Sequence, residues 1–182
     1  MKVALASLVL LVAACSPDTA QQAHPRRSGP TPAPVLAPQD RDFLERAAEG
    51  SNAEIATGST ATRQAFRPEV KAFGAMMVRD HGTMNRQLAA IARRYHIELP
   101  TSLGDHQASY DRIVDLRYDR FDEEYMQVMI EDHDLALELF RGEAAGGADP
   151  ALRAFAAAHV PMIEAHLDHA KALAGPKPPP TQ

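Results

Sequence analysis

Residues 77–81 read Met-Val-Arg-Asp-His, and the same spacing recurs as Met-Ile-Glu-Asp-His at 129–133 and Met-Ile-Glu-Ala-His at 162–166. Side chains four residues apart lie on one face of an α-helix. Each repeat therefore predicts a helix that carries a methionine and a histidine on a single stripe. Three such helices would bring three potential metal ligands into one core.

Four long helices are predicted from the residues that punctuate the chain. Pro68 suits a first helical position because its φ is fixed and its missing N–H would be unbonded there. Asp149 and Pro150 form a similar start, with Asp149 as the N-cap. Glycines at 142, 146 and 147 indicate a break after the third helix. The predicted helices span residues 39–63, 68–96, 119–141 and 150–174, with a short helix at 105–116.

The fold class that follows is all-α. No segment shows sustained strand-like alternation, and the chain contains no tryptophan, so its helices can approach closely. Four long helices of this kind favour an up-down-up-down four-helix bundle, with the short extra helix between helices 2 and 3.

A ligand-type side chain falls on the apolar stripe of every long helix when the residues are projected at about 100° each. These are Glu54, His81 and His133 on the first three helices, and both His159 and His166 on the fourth. Heights counted from the predicted loops place His159 level with the first three and His166 about two turns deeper. Either histidine could therefore face the centre.

The ends of the chain differ in composition from this domain. Residues 1–15 predict a bacterial lipoprotein signal with a lipobox that ends in Ala14 and Cys15, so Cys15 would carry lipid. Residues 16–38 predict a proline-rich disordered tether, residues 39–174 the bundle, and residues 175–182 a disordered tail. Ser16 after the cysteine favours an outer-membrane anchor facing the periplasm. Secretion and an inner-membrane anchor are the alternatives.

Composition excludes several functions. The formal net charge is −5 and the arginines are interspersed with acids, which does not suit a nucleic-acid surface. The lone cysteine excludes a thiolate metal site in the domain, and no Gly-x-Ser-x-Gly elbow or glycine-rich phosphate loop occurs. The sequence favours a binding module over an enzyme, although hydrolysis by a zinc-bound water stays open. Protein partners cannot be read from it.

The chain resembles the DUF4142 family of bacterial proteins over nearly the whole domain. The resemblance rests on Phe43-Leu44 with Glu54, on Val70-Lys71-Ala72-Phe73 leading to Met77 through His81, on Leu99-Pro100, on Phe121-Asp122 with Tyr125 and His133, and on Pro161 with His166-Leu167. It implies a ferritin-like bundle that is commonly exported and has no established activity. It also singles out Glu54, His81, His133 and His166, and makes His159 a peculiarity of this chain.

The ligand inventory predicts one transition-metal ion. Ferritin-like di-iron centres use Glu-x-x-His motifs, which this chain lacks, so a di-iron centre is not expected. One carboxylate, Glu54, with three or four imidazoles suits a single ion such as copper or zinc. Asp80 and Asp132 could orient the histidines by hydrogen bonds. Possible additional ligands are His159, Met77, Met129 and Met162, since thioethers select Cu(I).

A metal-free interpretation remains. The buried histidines and Glu54 could form a polar cluster in which an imidazolium neutralises the carboxylate, and the methionines could be core filler. The protein would then be an envelope interaction domain or a stress-related scaffold. Its other histidines, among them His96, His106 and His169, are predicted to lie on the surface or at helix ends.

Overall fold

The computed structural model describes residues 35–175, which form five α-helices. They are α1 Pro38–Gln64, α2 Pro68–Ala92, α3 Gln107–Ile113, α4 Tyr118–Gly146 and α5 Pro150–Ala174. The four long helices make the bundle, which confirms the all-α class and the short extra helix. None of the described helices has the length and apolar character needed to cross a membrane. Cys15 with its signal, most of the 16–38 tether and nearly all of the tail lie outside the described residues.

The directions of the helices follow from contacts at the two ends of the bundle. At one end, the Tyr95 hydroxyl beyond α2 donates to Asp149, the residue before α5. At the other end, the Phe66 N–H beyond α1 donates to Asp122 near the start of α4 at 2.9 Å. The helices therefore run up, down, down and up. This order differs from the expected alternation because residues 93–117 cross the whole length of the bundle, as the one long connection of ferritin-like folds does.

Local interactions explain where α2 and α5 begin and where α2 ends. Pro68 and Pro150 both occupy first-turn positions, and the Asp149 side chain accepts hydrogen bonds from the N–H groups of Ala151 and Leu152. The regular α2 ends at Ala92 and continues only as one 3₁₀ turn, Arg93–Tyr95. His96 then adopts the left-handed conformation with φ 55°, which stops the helix earlier than predicted.

The third long helix extends five residues further than predicted. α4 continues through Gly142 to Gly146, where the Gly147 N–H closes the last turn on the Glu143 carbonyl at 2.9 Å. One glycine inside a helix costs about 1 kcal/mol relative to alanine, which the packing of neighbouring turns outweighs. Five residues correspond to about 7.5 Å along the axis.

A polar layer separates two apolar clusters in the bundle. The lower cluster, near the α4–α5 loop, includes Phe43, Leu88, Phe140, Leu152 and Phe155. The upper cluster includes Phe73, Met77, Phe121, Tyr125 and Met129. Glu54, His81, His133 and His166 are buried between these clusters.

Two glycines bring α1 and α2 into backbone contact beside this layer. A Cβ atom on Gly74 would lie 2.7 Å from the Ala61 Cβ and 2.8 Å from the Gly58 carbonyl oxygen. Only glycine therefore fits this crossing without a shift of the backbone. The close approach sets the distance between Glu54, one turn before Gly58, and His81, two turns after Gly74.

Candidate metal centre

Three histidines from three different helices converge in the core. His81 of α2, His133 of α4 and His166 of α5 are 4%, 1% and 3% exposed. The centroids of their rings are 5.5 to 5.7 Å apart, and one ring nitrogen from each lies within 4.8 Å of the others. These three residues are called the triad below.

Hydrogen bonds fix the tautomers of two triad members. The His133 Nδ1–H donates to the Met129 carbonyl at 2.8 Å, so the lone pair of this ring is on Nε2. The His166 Nε2–H donates to the Asp80 carboxylate at 3.1 Å, which puts the lone pair on Nδ1. Both lone-pair nitrogens are buried without a hydrogen-bond partner among the described residues, and so are both nitrogens of His81. The triad thus presents three unused acceptor nitrogens.

Burial keeps the triad neutral. It lowers the pKa of His81 well below the ordinary value, and the neighbouring His133 and His166 lower it further. Burial also lowers the pKa of His133 to about 4 and that of His166 in the same direction. Neutral imidazole is the form that binds metal ions. At neutral pH the triad is therefore in its ligating state.

The spacing of the triad is slightly wider than a bound ion requires. Two nitrogens that share an ion at bond lengths near 2 Å can be at most about 4 Å apart. The nitrogens lie within 4.8 Å of one another, so a bound ion would draw the rings together by roughly 1 Å.

Glu54 lies beside the triad but does not form an ion pair with it. Its Oε1 is 3.6 Å from His133 Nδ1, whose hydrogen already bonds to the Met129 carbonyl, and its Oε2 is buried without a partner. Burial, followed by the nearby Asp132, raises the pKa of Glu54 well above its ordinary value. The pKa of His133 moves the opposite way, so both groups favour their neutral forms. This opposes the imidazolium–carboxylate cluster of the metal-free interpretation.

The structure places His166, and not His159, in the triad. The His159 ring packs against Phe155 at a tilt of 41°, with ring centroids 4.2 Å apart, and its Nδ1–H donates to the Phe155 carbonyl. The predicted level of His159 is wrong because the heights were counted from a third helix that ended at Arg141. Extending α4 to Gly146 moves the reference point by about 7.5 Å and brings His166 closer than His159 to the level of His133.

The three methionines of the repeats have packing positions. Met77 and Met129 are fully buried in the upper apolar cluster, and Met162 is partly buried against the lower one. Their sulfurs as metal ligands stay predictions. The Met129 carbonyl, which holds His133, is the one contact described between these residues and the triad.

Two acids within the repeats, Asp80 and Asp132, lie against histidines of other elements. Asp80 accepts from His166, and the Arg79 guanidinium donates to both of its carboxylate oxygens. Asp132 is 5% exposed and accepts from the Ser109 hydroxyl at 3.2 Å, and His106 Nδ1 lies 3.2 Å from the same carboxylate oxygen, at ion-pair distance. Sequence reasoning missed His106, because its partner is far along the chain and no local pattern marks the pair.

A cavity of about 190 Å³ leads from the surface to the triad. It lies between α1, α4 and the segment that crosses the bundle. Its walls include His81 and His133 together with Glu54, and also the His106–Asp132 pair. A small ion therefore has a route to two of the three triad rings.

Comparisons with known proteins agree with this fold. The sequence model of the family described as "Domain of unknown function (DUF4142)" matches residues 25–173. No curated protein sequence matches the chain significantly.

Solved structures of helical proteins are similar despite low identity. "Crystal structure of DUF305 fragment from Deinococcus radiodurans" matches with TM-score 0.68 and 14% identity over 78% of this chain and 98% of that one. "CopM in the Cu(II)-bound form" matches with TM-score 0.64 and 17% identity over 74% of this chain and 95% of that one. "CopM in the Cu(I)-bound form" matches with TM-score 0.62 and 18% identity over 73% of this chain and 93% of that one. At these identities the likeness shows the fold.

Proposed function

The chain belongs to the DUF4142 family, and from that premise we propose that it binds one copper ion between His81, His133 and His166. The observation that carries the proposal is the convergence of three buried, neutral imidazoles whose lone-pair nitrogens have no partner among residues 35–175. Glu54 as a further ligand stays a prediction, because its contact with the triad is to His133 Nδ1, at 3.6 Å, and that nitrogen bonds to the Met129 carbonyl. Asp80 orients His166, as carboxylates commonly orient metal-binding histidines.

Energetic reasoning favours a metal over a purely structural cluster. A buried acceptor left without a hydrogen bond costs about 1–3 kcal/mol. Three such nitrogens in one core would offset a considerable part of the net stability of a domain, which is of the order of 5–15 kcal/mol. One ion bonded to all three rings would remove this cost at once.

Copper is preferred to zinc on two grounds. Sites built from nitrogen ligands bind Cu²⁺ more tightly than Zn²⁺, and imidazole suits both ions. Structures of CopM, which has the same fold, hold Cu(I) and Cu(II). Zinc is the second candidate for the same ligands.

Replacement of His81 by leucine gives a clean test. Neither nitrogen of His81 makes a hydrogen bond in the described structure, so His81→Leu removes a ligand without breaking one. His96→Asn is the matched control, because His96 is exposed and asparagine tolerates its left-handed backbone. Copper and zinc are titrated into the purified protein and its two variants, with elemental analysis and with urea unfolding of the metal-free forms.

The expected result is one copper per chain for the wild type and for His96→Asn. His81→Leu should keep its fold and lose at least about 100-fold in affinity, since only two imidazoles remain. Binding that is equally tight in His81→Leu, or no binding by the wild type, would overturn the proposal and return the function to a metal-free interaction domain.

The location of the domain is proposed from residues 1–16. The signal and lipobox before Cys15, with Ser16 after it, support a lipoprotein of the outer membrane whose domain faces the periplasm. Mass spectrometry of the protein from membranes should find an N-terminal acylated cysteine. Recovery of the uncleaved chain, or of a water-soluble chain cleaved elsewhere, would contradict it.

A further inference from the structure

We propose that His106, held by Asp132, is a second copper-binding position at the mouth of the cavity, from which the ion is passed to the triad. This inference rests on the proposed function and adds the route by which the site is filled. His106 belongs to the turn Gly104–His106, in the segment that crosses the bundle. It has no part in the triad itself.

The His106–Asp132 pair has the form of a metal-ligand pair. Asp132 can only accept, so the Nδ1 of His106 donates and the opposite ring nitrogen, Nε2, is left to bind. Asp132 is 5% exposed and also accepts from the Ser109 hydroxyl, so the carboxylate is itself held in place. The same arrangement, a carboxylate behind an imidazole, supports His166 through Asp80 in the core.

The free nitrogen of His106 faces a position without a side chain. A Cβ atom on Gly50 would lie 3.5 Å from His106 Nε2, in van der Waals contact, and Gly50 also lines the cavity. Gly50 is in the middle of α1, where alanine would be about 1 kcal/mol more favourable for the helix. A methyl group at this position would therefore contact the nitrogen directly, although helix propensity alone favours one.

Hydrogen bonds hold the crossing segment against α1. The Asn52 side-chain amide donates to the carbonyls of Pro100 and Ser102 at 3.0 and 3.1 Å, and the Ser102 hydroxyl donates to Glu49 at 2.8 Å. His106 follows four residues later and is 23% exposed in its side chain. It is thus fixed in position and still reachable from solvent, as a first point of capture must be.

Donor groups continue inward from this position. Along the cavity walls lie the Glu54 carboxyl, the Met84 thioether and the rings of His133 and His81. Imidazole and thioether groups suit copper in its two oxidation states. An ion captured by His106 would find further ligands on the way to the triad.

The rate of loading tests the inference separately from the affinity. Copper(II), supplied as its glycine complex, is mixed with the metal-free full chain in a stopped-flow instrument. The variants are His106→Gln, which removes the ligand, and Gly50→Ala, which crowds its Nε2 but keeps the His106–Asp132 bond. His96→Asn is the control for loss of an exposed histidine. Circular dichroism confirms that each variant is folded.

Both variants should load at least about tenfold more slowly than the wild type, the lower range for loss of a group that supports a metal site. Their equilibrium affinity should stay within about threefold, because the triad is intact.

Three outcomes would overturn the inference. Unchanged loading rates in both variants would mean that His106 has no role, while the proposed copper site would stand. A loss of affinity equal to the loss of rate would make His106 part of the main site. Failure of the wild type to bind copper at equilibrium would remove the proposed function and this inference together.

Discussion

Acid should lower the unfolding free energy of the metal-free protein through the protonation of His133, by an amount that can be calculated. The folded-state pKa of His133 is about 4, because burial disfavours its charged form, whereas in the unfolded chain it returns to the ordinary 6.5. Below pH 6.5 the unfolded state therefore binds a proton that the folded state refuses. The stability that neutral His133 contributes is complete above this range and is lost as the pH falls from 6.5 towards 4.

The size of this loss follows from the two pKa values. Between pH 7 and pH 5 the free energy of unfolding should fall by about 2 kcal/mol through His133 alone, with a limit of about 3 kcal/mol below pH 4. Glu54 changes the unfolding free energy in the opposite direction, since its raised pKa favours the folded state at low pH. A comparison with a variant is therefore needed to isolate the histidine.

His133→Leu provides that comparison, because leucine fills the buried position and cannot titrate. Urea unfolding of the metal-free wild type and of His133→Leu is measured at pH 7, 6 and 5. The difference in unfolding free energy between the two proteins should shift by about 2 kcal/mol over this range, against the wild type at low pH. Parallel curves for the two proteins would refute the assignment of a neutral, buried His133.

Four further substitutions have expected outcomes. Asp80→Asn should weaken copper binding about 10- to 100-fold in equilibrium titration with little loss of stability, since His166 loses the carboxylate that orients it; an unchanged affinity would exclude that role. Gly74→Ala should lower the unfolding free energy by about 1–3 kcal/mol, because the new Cβ would meet the backbone of α1. Gly142→Ala, with open space around it, should raise the unfolding free energy by up to about 1 kcal/mol. Equal effects of the two substitutions in urea unfolding would contradict the close approach of α1 and α2. Asp149→Ala should cost about 1–2 kcal/mol in the same assay, and a change below a few tenths would show that the cap contributes little.

Local signals in the sequence predicted the beginnings of helices well. Pro68, Asp149 and Pro150 act through their own backbone geometry and through hydrogen bonds to the next few residues, so no distant contact is needed to interpret them. The end of α4 could not be read in this way. Gly142 weakens a helix only slightly, and whether the chain continues depends on what the following turn packs against.

The site shows the same division between local and distant causes. The repeats predicted that His81, His133 and His166 share the buried faces of their helices, but one misplaced helix end was enough to move His159 to their level instead. The direction of α4 depends on how residues 93–117 cross the bundle, which no short pattern encodes. His106 became visible only when that segment was seen against Asp132.

The long crossing segment also separates two properties on which selection can act: the stability of the fold and the proposed rate of ion uptake. The triad is built into three helices whose packing also determines the stability of the fold, so substitutions there affect more than one trait. His106 lies in a connection on the outside of the bundle, where changes in sequence and length are tolerated more readily. Under the proposed function, relatives of this chain can differ in how quickly they acquire an ion while keeping the same core, and variation among them should be concentrated in this connection.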